Sequence, residues 1–297
     1  MVDSADKRIG VVVITHNRRP ELLRTLERLT ALDERPQIVV VDNASSDDTC
    51  AAVARCYPQV TVLAQSRNLG TAARTMGVRH LDTPYVALCD DDAWWENGSL
   101  RLAADLFDCY SRVGLLNARV LVGDEGGLDP TCVAMAESPL ATDIDLPGPS
   151  LLGFLAGASA VRKTAFLECG GFESQLFLGG EEQLLAVDLA SHGWHLCYVP
   201  ELVVRHFPSE IRDARNRRRN ELRNALWFTW LRRPWPTALR RSLRLTREAP
   251  PQIAIEGVTR AMAGLPWVWR RRRVVPPQVE RGLCQLDAWQ AEHVLSS

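Results

Sequence analysis

Residues 85–92 read YVALCDDD, a run of five apolar residues followed directly by three aspartates. The apolar run has the length and composition of a buried strand, and Asp90, Asp91 and Asp92 stand where that strand ends. Three adjacent carboxylates repel one another, so this position needs a cation. Oxygen ligands favour Mg²⁺ or Mn²⁺ over zinc, and these ions often share their coordination with substrate phosphates. The stretch therefore indicates a metal and phosphate site, the alternative being an acidic turn, in which aspartate is common.

Three apolar runs precede this strand, and a helical pattern follows each of them. The runs are residues 9–15, 37–41 and 60–64, and the helices are expected to begin near residues 20, 49 and 71. Short apolar strands that alternate with helices are typical of a parallel, doubly wound α/β sheet. Ligands bind such sheets beyond the carboxyl ends of the strands. We therefore expect a mostly parallel sheet flanked by helices, with a binding site at one edge.

The polar residues after these runs are the candidate binding groups. They are Thr15, Asn17, Arg18, Asp42, Asn68 and Gly70, with Arg74 on the following helix. Because parallel strands end at the same edge, these residues are expected to converge on the three aspartates. Two of them have a second interpretation. Asp42 either accepts a hydrogen bond from a base or ribose or caps the next helix, and Arg74 either binds phosphate or is solvated.

Two later segments add titratable groups. Glu181 and Glu182 stand at the predicted start of a helix over residues 181–191, and His206 follows an apolar strand. Two adjacent carboxylates near a phosphate site can raise the pKa of one of them until it serves as a base. Helix capping also accounts for the pair. A neutral imidazole at position 206 can complete the coordination of a metal, whereas a lone histidine is more often structural.

The composition is that of a globular protein. Of the 297 residues, 46% are hydrophobic and 24% are charged. The polar N-terminus shows no secretory signal, and no apolar run is long enough to span a membrane. The eight scattered cysteines form no CxxC pair and are expected to be free thiols in a cytoplasmic protein. Residues 124–150 are rich in Gly, Pro and Asp and are expected to be irregular.

Positive charge is concentrated near the C-terminus. Thirteen arginines and three acidic residues lie between residues 205 and 247, whereas the whole chain has a net charge of −1. The arginines at helical spacing are Arg212, Arg215, Arg219 and Arg223, and the aromatic residues that follow them are Trp227, Phe228, Trp230 and Trp235. A second group farther along the chain consists of Trp267, Trp269 and the arginines at 270–273. This combination suits an anionic membrane surface, the alternative being a helical extension packed on the body. The arginines do not belong to a recognised nucleic-acid-binding module, so nucleic acid is not an expected partner.

Taken together, these segments resemble glycosyltransferase family 2, whose inverting enzymes have the nucleotide-sugar-binding GT-A fold. The matching segments are VVVITHNR (11–18), VVVDNASSDDT (39–49), NLGTAARTMGV (68–78), CDDDAWW (89–95), GASAVRKTAFLECGGF (157–172), GGEEQLLAVDLASHGW (179–194) and VVRHFPS (203–209). In this order they cover roughly residues 8–210, which makes the resemblance specific. It implies a catalytic GT-A domain over residues 1–210 and a mainly helical extension over 211–297.

The resemblance also implies roles for the candidate residues. Those assigned to the nucleotide sugar are Thr15, Asn17, Arg18, Asp42, Asn68, Gly70, Arg74, Asp90 and Asp91. Asp92 would be the direct metal ligand, with His206 and Asp90 as further ligands. Glu182 would be the catalytic base. Many relatives have Glu-Asp at this place and this chain has Glu-Glu, so Glu181 is a candidate as well.

The implied reaction is a single displacement. A carboxylate takes the proton of an acceptor hydroxyl, the oxygen attacks the anomeric carbon of a UDP- or dTDP-sugar, and Mn²⁺ or Mg²⁺ stabilises the departing diphosphate. The expected acceptor is a glycan or lipid-linked sugar of the bacterial cell envelope, as for a rhamnosyltransferase-like branch, reached by peripheral contact with the inner face of the plasma membrane. Two alternatives are a catalytically silent sugar-nucleotide-binding protein and a nucleotidyltransferase. A nucleotidyltransferase would be expected to have a lysine near the first strand, and residues 15–20 contain none.

Overall fold

The computed structural model describes residues 6–141, 144–208 and 214–294, and in the last segment the side chains of residues 220–293. Within them, nine strands form one mixed sheet. The strands are β1 Ile9–Thr15, β2 Ile38–Asp42, β3 Thr61–Ala64, β4 Tyr85–Asp90, β5 Ala93–Trp95, β6 Val113–Val122, β7 Gly127–Leu128, β8 Ser159–Arg162 and β9 His195–His206. The helices are α1 Arg19–Thr30, α2 Thr49–Cys56, α3 Ala73–His80, α4 Ser99–Cys109, α5 Pro130–Ala136, α6 Lys163–Glu168, α7 Glu181–Ser191, α8 Ala214–Arg232, α9 Trp235–Glu248, α10 Pro251–Ala263, α11 Leu265–Arg271 and α12 Pro277–Val294.

The first half of the sheet is parallel and carries the polar strand ends. β1 lies between β2 and β4, and β3 extends the sheet beyond β2. The valine and isoleucine residues of β2 are all buried, as in parallel strands that are covered on both faces. The register pairs Thr15 with Asp42 and Ile14 with Asp90, so three strand ends lie side by side. The expected mostly parallel α/β sheet is confirmed.

The second half of the sheet is mixed. β8 runs antiparallel between β4 and β6, β9 is parallel to β6, and β5 pairs antiparallel with the end of β9. The sequence does not predict β5, because three residues are too few to show a strand pattern. Its first residue, Ala93, pairs with His206. Asp90 therefore ends β4, Asp91 and Asp92 form the turn into β5, and this pairing brings His206 close to the triplet.

Residues 124–150 are more ordered than the sequence predicts. They contain β7, which pairs with β6, and the helix α5. Asp129 caps this helix, since its side chain accepts a 2.8 Å hydrogen bond from the N–H of Thr131, and Pro130 lies in the first turn. The expectation of an irregular segment was wrong here because an Asp-Pro pair is a helix-start signal as well as a turn signal.

The C-terminal helices pack directly on the sheet domain. Buried side chains of α8, α10, α11 and α12 form one apolar cluster with Leu176, Leu184 and Val187. A larger cluster surrounds the sheet. The predicted boundary at residue 210 lies outside the described residues, so the division into two domains stays a prediction.

Several aromatic residues that the sequence assigns to a membrane surface belong to this C-terminal cluster. Trp227 and Phe228 are buried, and Trp230 is partly buried. Trp235 and Trp269 are exposed, by 47% and 75%. Trp227, Phe228 and Trp230 therefore pack against the protein, in agreement with the alternative of a packed helical extension. Only Trp235 and Trp269 of these five residues remain candidates for contact with a membrane surface.

Most of the predicted basic stripe lies outside the described residues. Arg212 and the side chains of Arg215 and Arg219 belong to that part of the chain. Arg223 is described, and its guanidinium lies 4.5 Å from the centre of the Trp227 ring, so it is packed on the cluster. Among the described helices, none is apolar over a length sufficient to cross a bilayer.

Candidate active site

The turn after β2 forms one wall of the site. Asp42 is buried at the end of β2, and its carboxylate accepts hydrogen bonds from the backbone N–H of Ser45, at 3.0 Å, and from the Ser45 hydroxyl. These bonds fix the turn that leads into α2, which is the structural interpretation of Asp42. Carboxylate oxygens accept more than one hydrogen bond, so a nucleoside-binding role is compatible with this turn and stays a prediction.

The loop after β1 is tied to the same turn. Asn17 has a φ of 53°, a left-handed conformation in which asparagine is enriched. Its N–H donates to Ser45 Oγ at 2.9 Å, and its side-chain oxygen accepts from the N–H of Ser46 at 2.7 Å. Asn17 thus joins two loops at the carboxyl edge of the sheet.

The aspartate triplet is held by residues from β1 and from this loop. The Thr15 hydroxyl donates to Asp91 at 2.9 Å, and Arg18 Nη1 donates to Asp91 at 3.2 Å and to Asp92 at 3.0 Å. Both aspartates are buried. Burial raises the pKa of Asp91 to about 7, and the positive charge of Arg18 opposes this rise. Part of the cation requirement of the triplet is therefore met by an arginine of the protein itself.

His206 reaches the triplet from the end of β9. Its Nε2 lies 3.5 Å from an oxygen of Asp92, and the N–H of Phe207 donates to the Asp92 carbonyl at 2.8 Å. The Phe207 ring stacks on Trp94 with 4.8 Å between ring centres, which fixes this end of β9 against β5. Two ligands of one Mg²⁺ or Mn²⁺ lie about 3 Å apart. Asp92 and His206 therefore fit a shared ion.

The described side chains alone would not complete such a site. Across residues 6–141, 144–208 and 214–294, no three His, Cys, Asp or Glu side chains come close enough together to hold a metal. Asp90, the third predicted ligand, is paired with Arg74. Mg²⁺ usually takes one or two carboxylates and completes its coordination with water and substrate phosphates. The pair of Asp92 and His206 fits an ion that binds together with a phosphate ligand.

Arg74 lies buried within the site. Its Nη2 is bonded to the carboxylate of Asp90, and its Nε and Nη1 have no hydrogen-bond partner among the described residues. The same carboxylate lies against Gly157, where a Cβ would stand 2.3 Å from Oδ2 of Asp90. The interpretation of Arg74 as a solvated residue is wrong. A buried guanidinium with unused donors is suited to an anionic ligand.

The two glutamates begin α7 close to Arg74. Glu181 is buried, and one of its oxygens has no partner among the described residues. Glu182 is partly exposed and accepts a 2.7 Å hydrogen bond from the N–H of Ala156. Burial, followed by the charge of Glu181, raises the pKa of Glu182 to about 7, and burial also raises the pKa of Glu181. The charge of Arg74 opposes both shifts. Glu182 therefore has the accessibility and the pKa of a general base.

The loop before the glutamates has an unusual backbone. Phe177 has a φ of 60°, which is rare for an aromatic residue, and two glycines with positive φ follow. The carbonyl of Phe177 accepts a 2.8 Å hydrogen bond from the N–H of Thr71. Gly70 approaches so closely that a Cβ there would lie 2.1 Å from the same oxygen. Glycine at position 70 is thus required by the contact between two loops, in addition to any contact with a ligand.

Asn43 and Asn68 shape the turn that contains Gly70. Asn68 accepts a 2.8 Å hydrogen bond from the N–H of Gly70. Asn43 accepts from the N–H of Leu69 at 3.1 Å and donates to the carbonyl of Gly70 at 3.0 Å. Asn43 directly follows Asp42, so these bonds attach the turn to the end of β2. The sequence places Asn43 in a polar turn and does not reveal this contact.

Asn224, on α8, holds the loop that leads to the glutamates. It is fully buried, and its side-chain amide donates to the carbonyls of Leu176 at 2.9 Å, Leu178 at 3.1 Å and Gly179 at 2.5 Å. Carbonyls of a loop have no partner in a helix or a sheet and take hydrogen bonds from donors of this kind. The sequence gives no signal for this residue, because its partners are backbone atoms 45 to 48 positions away. The C-terminal region therefore contributes to the site.

The predicted residues form two networks at one edge of the sheet, the first of direct contacts and the second of the Arg74–Asp90 ion pair together with the charges of the two glutamates. One consists of Thr15, Arg18, Asp91, Asp92 and His206, and the other of Arg74, Asp90, Glu181 and Glu182. Asn17 and Asp42 join the first network through their shared turn, while Asn68 and Gly70 lie in the turn beside Phe177. The structure brings these residues together as expected, and their individual roles stay predictions.

Comparison with known proteins identifies similar enzymes. The chain matches the family model of glycosyl transferase family 2 over residues 10–170. It is 28% identical over 237 residues to the N-acetylglucosaminyl-diphospho-decaprenol L-rhamnosyltransferase of Mycobacterium tuberculosis, which covers 67% of this chain and 75% of that protein. It is also 29% identical over 194 residues to the galactofuranosyltransferase GlfT1 of the same organism, which covers 59% and 62%.

Solved structures share the fold. The mannosyltransferase PcManGT from Pyrobaculum calidifontis, in complex with GDP-Man and Mn²⁺, has a TM-score of 0.57 and 22% identity, covering 97% of this chain and 78% of that chain. Residues 1–349 of S. aureus TarS, in complex with UDP-GlcNAc, have a TM-score of 0.61 and 16% identity, covering 86% and 73%. The GT-A fold with a helical C-terminal region is thereby confirmed.

Proposed function

This chain belongs to glycosyl transferase family 2, and we propose that it moves a sugar from a nucleotide-diphospho-sugar to an acceptor hydroxyl with inversion at the anomeric carbon. One observation carries the proposal. Glu182 accepts a hydrogen bond from the N–H of Ala156, and the next residue, Gly157, lies against Asp90, the partner of Arg74, at the edge of the sheet that also holds the aspartate triplet. A single displacement requires this combination, a base for the acceptor and positive charge for the departing diphosphate.

In this reaction Glu182 is the general base. The N–H of Ala156 orients its carboxylate, and its raised pKa suits proton removal near neutral pH. Glu181 is the second candidate. Because Glu181 is buried, we infer that its charge acts on the pKa of Glu182 and that it does not itself take the proton.

Asp92 and His206, with Asp90 near them, would hold Mn²⁺ or Mg²⁺. When bound, the ion would supply positive charge to the departing diphosphate. Support comes from the 3.5 Å separation of Asp92 and His206 and from the similar mannosyltransferase that was solved with Mn²⁺. Arg18 would remain beside Asp91 and balance the rest of the negative charge.

The donor would lie along the carboxyl ends of β1, β2 and β4. We assign a uracil or thymine nucleoside to the loop and turn joined by Asn17, with Asp42 beneath it. The two unpaired nitrogens of Arg74 would bind the diphosphate or the sugar. The turn of Asn68 and Gly70 would close the same pocket.

The acceptor would be a glycan or a lipid-linked sugar of the cell envelope. The similar mycobacterial rhamnosyltransferase is named for a decaprenol-linked sugar, which supports an acceptor of that class. A chain that uses such an acceptor must meet a membrane surface, and we propose that the basic C-terminal region makes this contact at the inner face of the plasma membrane.

A thermal-shift screen tests the donor and metal assignments. The chain is heated with UDP-, dTDP- and GDP-sugars, each with and without Mn²⁺. We expect a UDP- or dTDP-sugar to raise the Tm, and to raise it further with Mn²⁺, because a ligand that binds the folded state stabilises it. Asp92→Asn and His206→Gln should remove the Mn²⁺-dependent part of the shift. Stabilisation by GDP-sugars alone would contradict the donor assignment.

An assay of donor hydrolysis separates the proposed enzyme from a catalytically silent binding protein. Sugar release from the stabilising donor, dependent on Mn²⁺, is expected from a transferase that lacks its acceptor. Tight donor binding with neither hydrolysis nor transfer to any lipid-linked or glycan acceptor would favour the silent protein.

A further inference from the structure

The C-terminal helices carry most of the exposed apolar surface. Eight of the fourteen large apolar side chains that are exposed in the described part of the chain lie between residues 235 and 274. They are Trp235, Leu239, Leu243, Ile255, Met262, Leu265, Trp269 and Val274. The same stretch contains nine arginines and two glutamates. This part of the surface is therefore both apolar and strongly basic.

The helix α9 has one face that packs against the protein and one face that is exposed. Ala238 is buried and Leu245 packs on the C-terminal cluster, so this side of the helix faces the protein. Trp235, Leu239 and Leu243 follow one another at intervals of four residues. They form a single stripe along α9, next to the side of the helix that faces the protein. They are 47%, 63% and 57% exposed. The Arg272 guanidinium lies 4.0 Å from the centre of the Trp235 ring and covers part of one face of the indole, whereas Leu239 and Leu243 are more than half exposed.

Arginines border the stripe on the side away from the cluster. With about 100° per residue, Arg240 and Arg247 lie next to Leu243 around the helix. Neither forms an ion pair with a described residue, whereas Arg241, nearer the protein, is paired with Asp287. The outward arginines therefore keep their charge available to an external partner.

We propose that this face of α9, formed by Trp235, Leu239, Leu243, Arg240 and Arg247, docks on an anionic lipid surface. The leucines would enter the boundary between headgroups and acyl chains, the indole would lie at headgroup depth, and the arginines would pair with lipid phosphates. A second copy of the chain fits less well, because a two-fold contact through this face would bring its unpaired arginines together.

This surface specifies the membrane contact proposed above without depending on the transfer reaction. α9 packs against α8, the helix that carries Asn224. Docking through α9 would therefore hold the membrane next to the helix that supports the glutamate loop. An acceptor embedded by its lipid tail would then reach the site from the side of the C-terminal helices.

Cosedimentation of the full chain with lipid vesicles tests the proposal. The vesicles contain phosphatidylcholine alone or phosphatidylcholine with phosphatidylglycerol, at low and at high salt. We expect binding to the anionic vesicles that weakens at high salt, because salt screens charge attraction. The double substitution Leu239→Ser and Leu243→Ser should lower the bound fraction about tenfold. Arg240→Gln with Arg247→Gln should weaken binding and reduce its dependence on salt.

Val133→Ser is the matched control, since Val133 is 43% exposed on α5 of the sheet domain. It should bind vesicles as the unmodified chain does. All substituted side chains are exposed, so unchanged melting temperatures are expected and show that each variant is folded. Equal binding to neutral and anionic vesicles, or full binding by the double leucine variant, would overturn the proposal.

Failure of this test is separable from failure of the proposed function. Vesicle binding is measured without donor or acceptor, so a chain that ignores anionic vesicles and still transfers sugar would overturn only the membrane surface. If the double leucine variant instead changed the oligomeric state of a chain that binds no vesicles, the stripe would be assigned to a second copy.

Discussion

The side-chain amide of Asn224 donates a 2.9 Å hydrogen bond to the carbonyl oxygen of Leu176, at the start of the loop that leads to the two glutamates. The loop needs this support. Phe177 has a left-handed backbone, which costs about 1–3 kcal/mol unless the surroundings enforce it. The position of the proposed base therefore depends on a helix that lies outside the region matched by the family model.

Replacing Asn224 by alanine should slow the reaction and leave donor binding largely intact. The loop carbonyls would lose their donor, and a small displacement of Glu182 would lower kcat by about 10- to 100-fold. The KM for the donor should change less than kcat, because the loop held by Asn224 meets the proposed donor residues only at the turn of Gly70, while the proposed nucleoside residues lie at the ends of β1 and β2. Steady-state kinetics with donor and acceptor varied separately measure this difference.

Thr229→Val is the control for a general weakening of α8. Thr229 is buried on the same helix, and its hydroxyl has no partner among the described residues. The variant should retain kcat. If Thr229→Val and Asn224→Ala lowered kcat to the same extent, or if donor KM rose with either as much as kcat fell, Asn224 would be assigned a purely structural role.

Gly157→Ala should disturb the site with a limited effect on the fold. The new Cβ would stand 2.3 Å from Oδ2 of Asp90, so the carboxylate would have to leave its bond with Arg74. Crowding of this kind costs about 1–3 kcal/mol, and we expect transfer to fall about tenfold or more as both charges are displaced. Activity and melting temperature are measured together.

The matched substitution is Gly153→Ala, where a Cβ meets no atom within 4 Å. This variant should keep both its activity and its melting temperature. Full activity of Gly157→Ala would show that the contact between Asp90 and Arg74 is dispensable.

Glu182→Gln and Glu181→Gln distinguish the two candidate bases. Glutamine keeps the shape of the side chain and cannot accept the proton, so Glu182→Gln should lose about 10²- to 10⁴-fold in kcat while the donor still raises the melting temperature. Glu181→Gln removes a buried charge and should keep most of the activity. The reverse pattern would assign the base to Glu181.

Local patterns were sufficient to predict the parallel half of the sheet and its polar edge. Asp42 and the aspartate triplet stand directly after apolar runs, and parallel strands place such ends side by side. Contacts between distant segments were not accessible in the same way. Arg18 lies 73 and 74 positions from the aspartates that it holds. No spacing in the sequence indicates that this arginine supplies part of the expected cation.

The burial of individual side chains in the structure distinguishes between the interpretations that the sequence left open. Arg74 and Trp227 each occur in a segment that suits a solvated or a membrane-facing surface, and both are buried. Asp90 and Phe172 lie against Arg74, and residues of α10 and α11 lie against Trp227. Trp235 and Trp269 have similar sequence surroundings and are exposed. A single residue's neighbours in the sequence do not reveal which side of a helix another helix will cover, so such choices need the tertiary structure.

The pH dependence of kcat/KM should show an acid limb with a midpoint near the pKa of Glu182. Burial and the charges of Glu181 and Asp90 raise this pKa to about 7, against the opposing charge of Arg74. A base must be unprotonated, so kcat/KM should fall tenfold per pH unit below the midpoint and stay constant above it. Glu181→Gln removes a neighbouring negative charge, which should move the midpoint to lower pH. An acid limb at the same pH in that variant, measured with saturating Mn²⁺, would show that another group limits the rate.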